Sequence, residues 1–281
     1  MNARKQGGLW QRLLRQPLPF ASLVFLVVLH LAVYLGPRIW TISPQATDPL
    51  NALLDPTPEH PLGTDELGRD ELARVLQGGQ VSLVVGLGAM LTSIVLGLLV
   101  GALAGFYGGL TSTVLMRLTD AMLAIPSFFL ILAAVTVFGA SPITIVLIIG
   151  LTSWMPVARV IFGETLRWKA SDFVQAARAL GASGLYVLGR HVLPQTGASL
   201  VVSATLGVGF AILTESAISY LGLGIQPPTA SWGNMLQNAQ QYMFTAAALA
   251  VYPGAVVTLV VLAYNFLGDG LRDALDPRLR V

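Results

Sequence analysis

No aspartate, glutamate, lysine or arginine occurs from Val75 to Met116 or from Ala121 to Ala158, and from His191 to Gly268 the only one is Glu215. A helix needs ~20 apolar residues to cross the hydrocarbon core of a bilayer, so each gap is long enough for one crossing and some for two. The chain therefore reads as an all-α integral membrane protein. Its charged fraction of 11% fits, being less than half of the ~25% common in soluble domains.

Six segments meet the length rule, near residues 18–36, 81–106, 118–138, 142–162, 197–220 and 246–267. The third and fourth are joined only by FGASP, where Gly139 and Pro142 supply the turn of a tight hairpin. Basic residues Arg4, Lys5, Arg12 and Arg15 precede the first apolar run, as in a signal peptide. The run exceeds the ~7–15 residues of a signal core and no small-x-small cleavage site follows, so it reads as a retained span.

Lysine and arginine in the flanks orient such spans. The tail 1–17 carries four, the segment between the fourth and fifth spans carries Arg159, Arg167, Lys169, Arg178 and Arg190, and the tail 268–281 carries Arg272, Arg278 and Arg280. An even number of crossings puts all three regions on one side, so both termini are expected in the cytoplasm. The opposite side receives the hairpin, the uncharged loop Gly222 to Gln241, and the segment 37–80, whose acidic excess suits an external scaffold. The expected organisation is a first helix at 18–36, that scaffold, and a five-helix core at 81–267 interrupted by a cytoplasmic loop at 163–196. Trp10, Trp40, Trp154 and Trp168 fall near the interfaces, where amphipathic rings anchor spans.

Small residues recur every four positions: Gly97, Gly101, Gly105 and Gly109 in the second span, and Ser199, Ser203, Gly207, Ala211, Glu215 and Ser219 in the fifth. Lipid gives helices no hydrophobic reason to pair, so close backbone approach over small side chains is the usual substitute. A pore lining is the alternative. Four residues turn ~400°, so such a stripe wraps around its helix and cannot all face one channel.

The interrupting segment DFVQAARALGASGLYVLGRHVLPQ, Asp172 to Gln195, is short and basic. Ser171 or Asp172 can cap a helix starting at Phe173, and Gly181 stands where a left-handed residue would end it. Phe173, Ala176, Ala177 and Leu180 make one narrow apolar face. Ser183 can cap a second helix, Leu185 to about His191, that Pro194 ends before the fifth span. Helices this short are marginal alone, so the segment must be held. It reads as a rigid knuckle passing movement from a soluble partner, or as an amphipathic loop on anionic headgroups.

Gln175-Ala176-Ala177, three residues, Gly181, nine residues, then His191-Val192-Leu193-Pro194 resembles the EAA signature of permease subunits in binding-protein-dependent ABC importers, EAA-x3-G-x9-I-x-L-P. The spacing matches throughout, with Gln175 for the leading Glu and His191 for the Ile. HPLGTDELGRDELARVLQGGQVSLVVG, His60 to Gly86, and AISYLGLGIQPPTASWGNML, Ala217 to Leu236, resemble stretches of the C-type subunit in the dipeptide, oligopeptide and nickel branch. The resemblance implies a type I importer permease fold in a prokaryotic inner membrane. It further implies a heterodimer with a homologous permease, two cytoplasmic ATP-binding subunits holding ATP and magnesium, and an extracytoplasmic substrate-binding protein. Phe173, Gln175, Ala176, Ala177, Arg178, Gly181, Arg190, His191 and Pro194 would then couple the spans to an ATPase. No G-x-x-x-x-G-K-[ST] sequence occurs, so this chain is expected to hold no ATP site and no cofactor.

An intramembrane carboxylate normally faces a partner or water, which makes Glu215, with Ser219 and Tyr220, a candidate substrate contact. A structural hydrogen bond or gate contact is the alternative. Arg117 and Asp120 are expected to pair along one helix face. His30 stands alone on the first span, and Trp232 reads as exposed by its polar flanks, in a loop facing the binding protein or in a short interfacial helix from Trp232 to Tyr242.

Cysteine is absent, which excludes disulfides and thiolate metal sites. No basic patch interleaved with aromatics suggests nucleic acid. His30, His60 and His191 lie at different depths and no carboxylates pair, so no catalytic set is visible. A secondary transporter or channel would need ionisable residues paired across several spans, and only Glu215 qualifies.

Overall fold

The computed structural model describes Leu13 and residues 16–275. The readings made for Arg4, Lys5, Trp10, Arg12, Arg15, Arg278 and Arg280 lie outside the described residues. Those residues form helices with no strand among them, only an isolated bridge between Thr64 and Asp70. Among the described residues, five helices are long and apolar enough to cross a membrane, or six when one bent pair counts as a single span.

Helix α1 (Pro17–Ile39) is followed by an irregular stretch with one 3-10 turn, and then by α2 (Glu71–Tyr107). The second span thus begins well ahead of its apolar stretch, because the Asp70 side chain accepts the Ala73 amide at 2.7 Å and caps the helix there. Gly108, at φ +71°, ends it.

The third span departs from expectation. Residues 118–138 do not form one rod: α3 (Gly109–Leu123) and α4 (Ser127–Phe138) meet at 84°. Pro126 has no amide proton to continue the ladder and disfavours helical backbone at Ile125, so the helix stops between them. The hairpin after α4 is as read, with Gly139 at φ +83° and the Ser141 hydroxyl accepting the Thr144 amide at the start of α5 (Pro142–Lys169).

Helix α6 (Asp172–Ala179) follows a single turn, and α7 (Gly184–Val187) opens the return. Pro194 does not end a second helix. A π turn (Leu188–Val192) and a 3-10 turn (Leu193–Thr196) carry the chain without a break into α8 (Gly197–Tyr220). The widened turn ahead of Pro194 absorbs its missing donor and its ring, leaving a continuous 37-residue rod from Gly184 to Tyr220. Helices α9 (Trp232–Ala239) and α10 (Ala248–Leu275) complete the fold.

The tightest seam joins α2 to α5. A Cβ placed on Gly97 would lie 2.6 Å from Val157 Cβ, and one on Gly105 would lie 2.8 Å from Thr165 Cβ, so this part of the stripe packs helices and lines no channel. At Gly109, the last of the four, an added Cβ would meet nothing within 4 Å. Helix α8 lies against α2 and α10, and α10 against α1, around a core that includes Leu83, Ile161, Ile212 and Val260. Arg117 and Asp120 do not pair: Arg159 of α5 reaches Asp120 at 2.6 Å, because α3 and α5 lie side by side and bring the guanidinium of the neighbouring helix onto the carboxylate.

Candidate functional site

At the end of α2 marked by Phe106, helix α6 forms a knob between α5 and the rod. Its C-terminus is a full Schellman motif, with the Ala182 amide on the Ala177 carbonyl and the Gly181 amide on the Arg178 carbonyl, and Gly181 at φ +85°. The apolar face inferred from the sequence is divided. Val174 is fully buried and Ala177 packs against the core, whereas Phe173, Ala176 and Leu180 face outward. Leu180 is 89% exposed, and Leu185 and Tyr186 beside it are exposed as well.

Neighbours fix the knob. The Arg178 guanidinium stands 4.9 Å over the ring of buried Phe106 in α2, and the Lys169 ammonium 5.8 Å from the same ring. Phe173 lies between Trp168 of α5 and His191 of the π turn, at 6.2 and 6.4 Å between ring centres. Gln175 donates to the Lys169 carbonyl at 2.9 Å, closing the end of α5 from within the chain. Arg190 and Pro194 are exposed on the rod. Eight of the nine residues read as coupling residues thus cluster around α6 and the π turn, with Pro194 one turn further along.

In the middle of the bundle a cavity of about 590 Å³ opens between α2, the α3–α4 bend, α5 and α8. Met90, Ser93, Pro126, Thr152, Ser203 and Phe210 are among its lining residues, and none of the lining side chains is charged. Two of its walls carry a proline, Pro126 at the bend and Pro156 inside α5. Sequence reasoning did not find this cavity, although both prolines were visible.

Glu215, Ser219 and Tyr220 are not among its lining residues. Glu215 is fully buried and accepts the hydroxyls of Ser82 on α2, at 2.9 Å, and Ser219, at 2.7 Å. Tyr220 is 39% exposed at the end of α8. Trp232, read as exposed, is fully buried, its indole donating to the Val75 carbonyl at 3.0 Å. The loop around it folds because Asn234 satisfies the Ile225 and Thr229 carbonyls while a capping box closes the start of α9.

The opposite end of α2 carries a buried charge cluster. Asp65 pairs with Arg69 at 2.6 Å and Arg74 at 3.1 Å, Glu66 with Arg69 at 3.0 Å, and Asp70 holds His60 and the Trp40 indole at 2.8 Å each. Glu71, the first residue of α2, is buried against Asp65, Glu66 and Arg74 of this cluster.

Residues 97–281 match the family described as "Binding-protein-dependent transport system inner membrane component", and residues 8–56 match the "N-terminal TM domain of oligopeptide transport permease C". The glutathione transport system permease protein GsiD of Escherichia coli O6:K15:H31 is 39% identical over 96% of this chain and 90% of its own. The dipeptide transport system permease protein DppC of Alkalihalophilus pseudofirmus is 35% identical over 96% and 89%. The oligopeptide transport system permease protein OppC of Bacillus subtilis is 33% identical over 99% and 92%. Among solved structures, a chain of the MetNI methionine ABC transporter in an inward-facing conformation superposes with a TM-score of 0.56 at 19% identity, over 72% of this chain and 96% of that one. Apolar helices and family matches over most of the sequence agree: the chain belongs to the binding-protein-dependent transport system inner membrane component family, as a multi-pass permease subunit of an ABC transporter.

Proposed function

We propose that this permease forms half of the translocation pathway of an ATP-driven importer of di- or oligopeptides, beside a homologous permease. Two ATP-binding subunits holding ATP and magnesium work from the cytoplasm, and a substrate-binding protein delivers cargo from the other face. The knob is the observation that carries this reading: Phe173, Ala176 and Leu180 expose an apolar face on a helix too short to stand alone, on a backbone fixed by Gly181 and Arg178. Such a face seats in a groove of an ATPase subunit. Both termini and the knob lie in the cytoplasm, and the segment 37–80 and α9 lie outside. ATP draws the two ATPases together, the seated knobs follow, and the spans around the uncharged cavity shift. Glutathione, dipeptide and oligopeptide relatives support a peptide cargo.

Uptake of a labelled dipeptide mixture by proteoliposomes holding the whole complex tests this. ATP inside and the binding protein outside should both be required, and collapse of proton and sodium gradients should leave the initial rate unchanged. Gradient-driven uptake by this chain without the ATPases would overturn the reading.

A further inference from the structure

The only acidic or basic residue between His191 and Gly268 has a location that transport through the cavity does not use. Glu215 stands five residues from the end of the rod whose other end begins beside the knob. At ~1.5 Å per residue that rod is ~55 Å long, enough to cross the membrane with an end projecting. One continuous helical run therefore joins α7 and the π turn to Glu215.

What Glu215 holds there is α9 and the turn before it. Ser82 links the carboxylate to α9, since its oxygen also accepts the Trp232 amide at 3.3 Å. Ser219 does the same on the other side, accepting the Ile225 amide at 3.1 Å. The first turn of α9 is pressed onto this spot: a Cβ on Gly233 would lie 2.6 Å from Ser216 Cα and 2.7 Å from Ser219 Cβ. Glu215, Ser82, Ser219, Ser231 and Asn234 are all fully buried, so no water competes for these bonds. A carboxylate in an apolar span is expensive, and a packing role alone is filled more cheaply by an apolar side chain.

We propose that Glu215 is a positioning residue that pins the outer lid, Ile225 to Ala239, to both α2 and the rod, so that docking of the binding protein on the lid and nucleotide-driven movement of the knob are read by each other through one helix. The inference rests on the reading that the lid faces the binding protein. Coupling of this kind is reciprocal: what the knob does to the lid, the lid does to the knob.

The test uses the complete complex in nanodiscs with the binding protein carrying its co-purified ligand. ATPase activity is followed as the binding protein is titrated. In Glu215→Ala the basal ATPase rate and the half-saturating binding-protein concentration are expected to stay within about threefold of wild type, while maximal stimulation falls at least tenfold. Glu215→Gln, which keeps an acceptor for Ser82, should restore at least half of it. Should Glu215→Ala fail to assemble, Ser82→Ala with Ser219→Ala removes both links and carries the same expectation. Stimulation equal to wild type, or basal and stimulated rates falling in proportion, overturns the pin. A wild-type complex that the binding protein neither binds nor stimulates overturns the reading of the lid's partner and the pin with it, which separates the two failures.

Discussion

Leu180→Asp is expected to strip the ATPase subunits from the complex while the permease still inserts and folds. Leu180 closes α6 with its side chain 89% exposed, so nothing inside this chain depends on it. In the proposed ATPase groove it would be the projecting anchor, with the exposed Phe173 on the same helix. Truncating such an anchor commonly costs ~2 kcal/mol or more, a loss of ~30-fold in affinity, and a carboxylate left in the groove adds an unpaired buried charge. Co-purification of the ATPases on a tagged permease is the measurement. Gly181→Ala provides the contrast: its Cβ would meet nothing within 4 Å, but φ is +85°, so the cost is backbone strain of ~1–2 kcal/mol at the knob's hinge. Association should weaken there by less than in Leu180→Asp. Retention of the ATPases at wild-type level in Leu180→Asp would mean that they seat elsewhere.

Local rules found much of this molecule. The charge-free gaps located the spans because hydrocarbon length is a one-dimensional constraint. The FGASP hairpin and the end of α6 were legible because each turns on one residue, Gly139 or Gly181, that accepts left-handed backbone. What escaped were contacts between residues distant in sequence. Asp120 takes Arg159 over Arg117, and Trp232 is buried because Val75 and Ser82, more than 100 positions earlier, accept its indole and amide protons. The polar flanks that made Trp232 look exposed are spent on one another, Asn234 on Ile225 and Thr229 and Ser231 on Asn234. The bend at Pro126 was hidden by apolar sequence on both sides, which satisfies a length rule whether or not the helix is straight. In the charge cluster the Asp65–Arg69 spacing was visible, but its burial depends on Arg74 and on α9.

Gly101→Leu should abolish the folded subunit, for a reason particular to a lipid solvent. A Cβ at Gly101 would lie 3.0 Å from both Ile161 Cβ and the Phe162 backbone nitrogen, and nearer still to the Ala158 carbonyl oxygen. Backbone cannot swing aside as a side chain can, so α2 and α5 would have to separate along their length. Overpacking by small additions already costs ~1–3 kcal/mol in a soluble core, where the hydrophobic effect still holds the remainder together. Here lipid would wet the opened seam at no penalty, and close packing is what the pair loses. The seam is also what makes the two helices one body: α5 ends at the knob through Trp168 and Lys169, and α2 meets it through Phe106 under Arg178. Gly163→Ala, in the same helix α5 but with nothing within 4 Å of its Cβ, should be neutral or gain up to ~1 kcal/mol of helix propensity. Yield of monodisperse complex and its thermal midpoint separate the two. If Gly101→Leu assembles and transports at the wild-type rate, the α2–α5 seam does not hold the permease together, and the coupling proposed for the knob would have to reach the cavity along α8 alone.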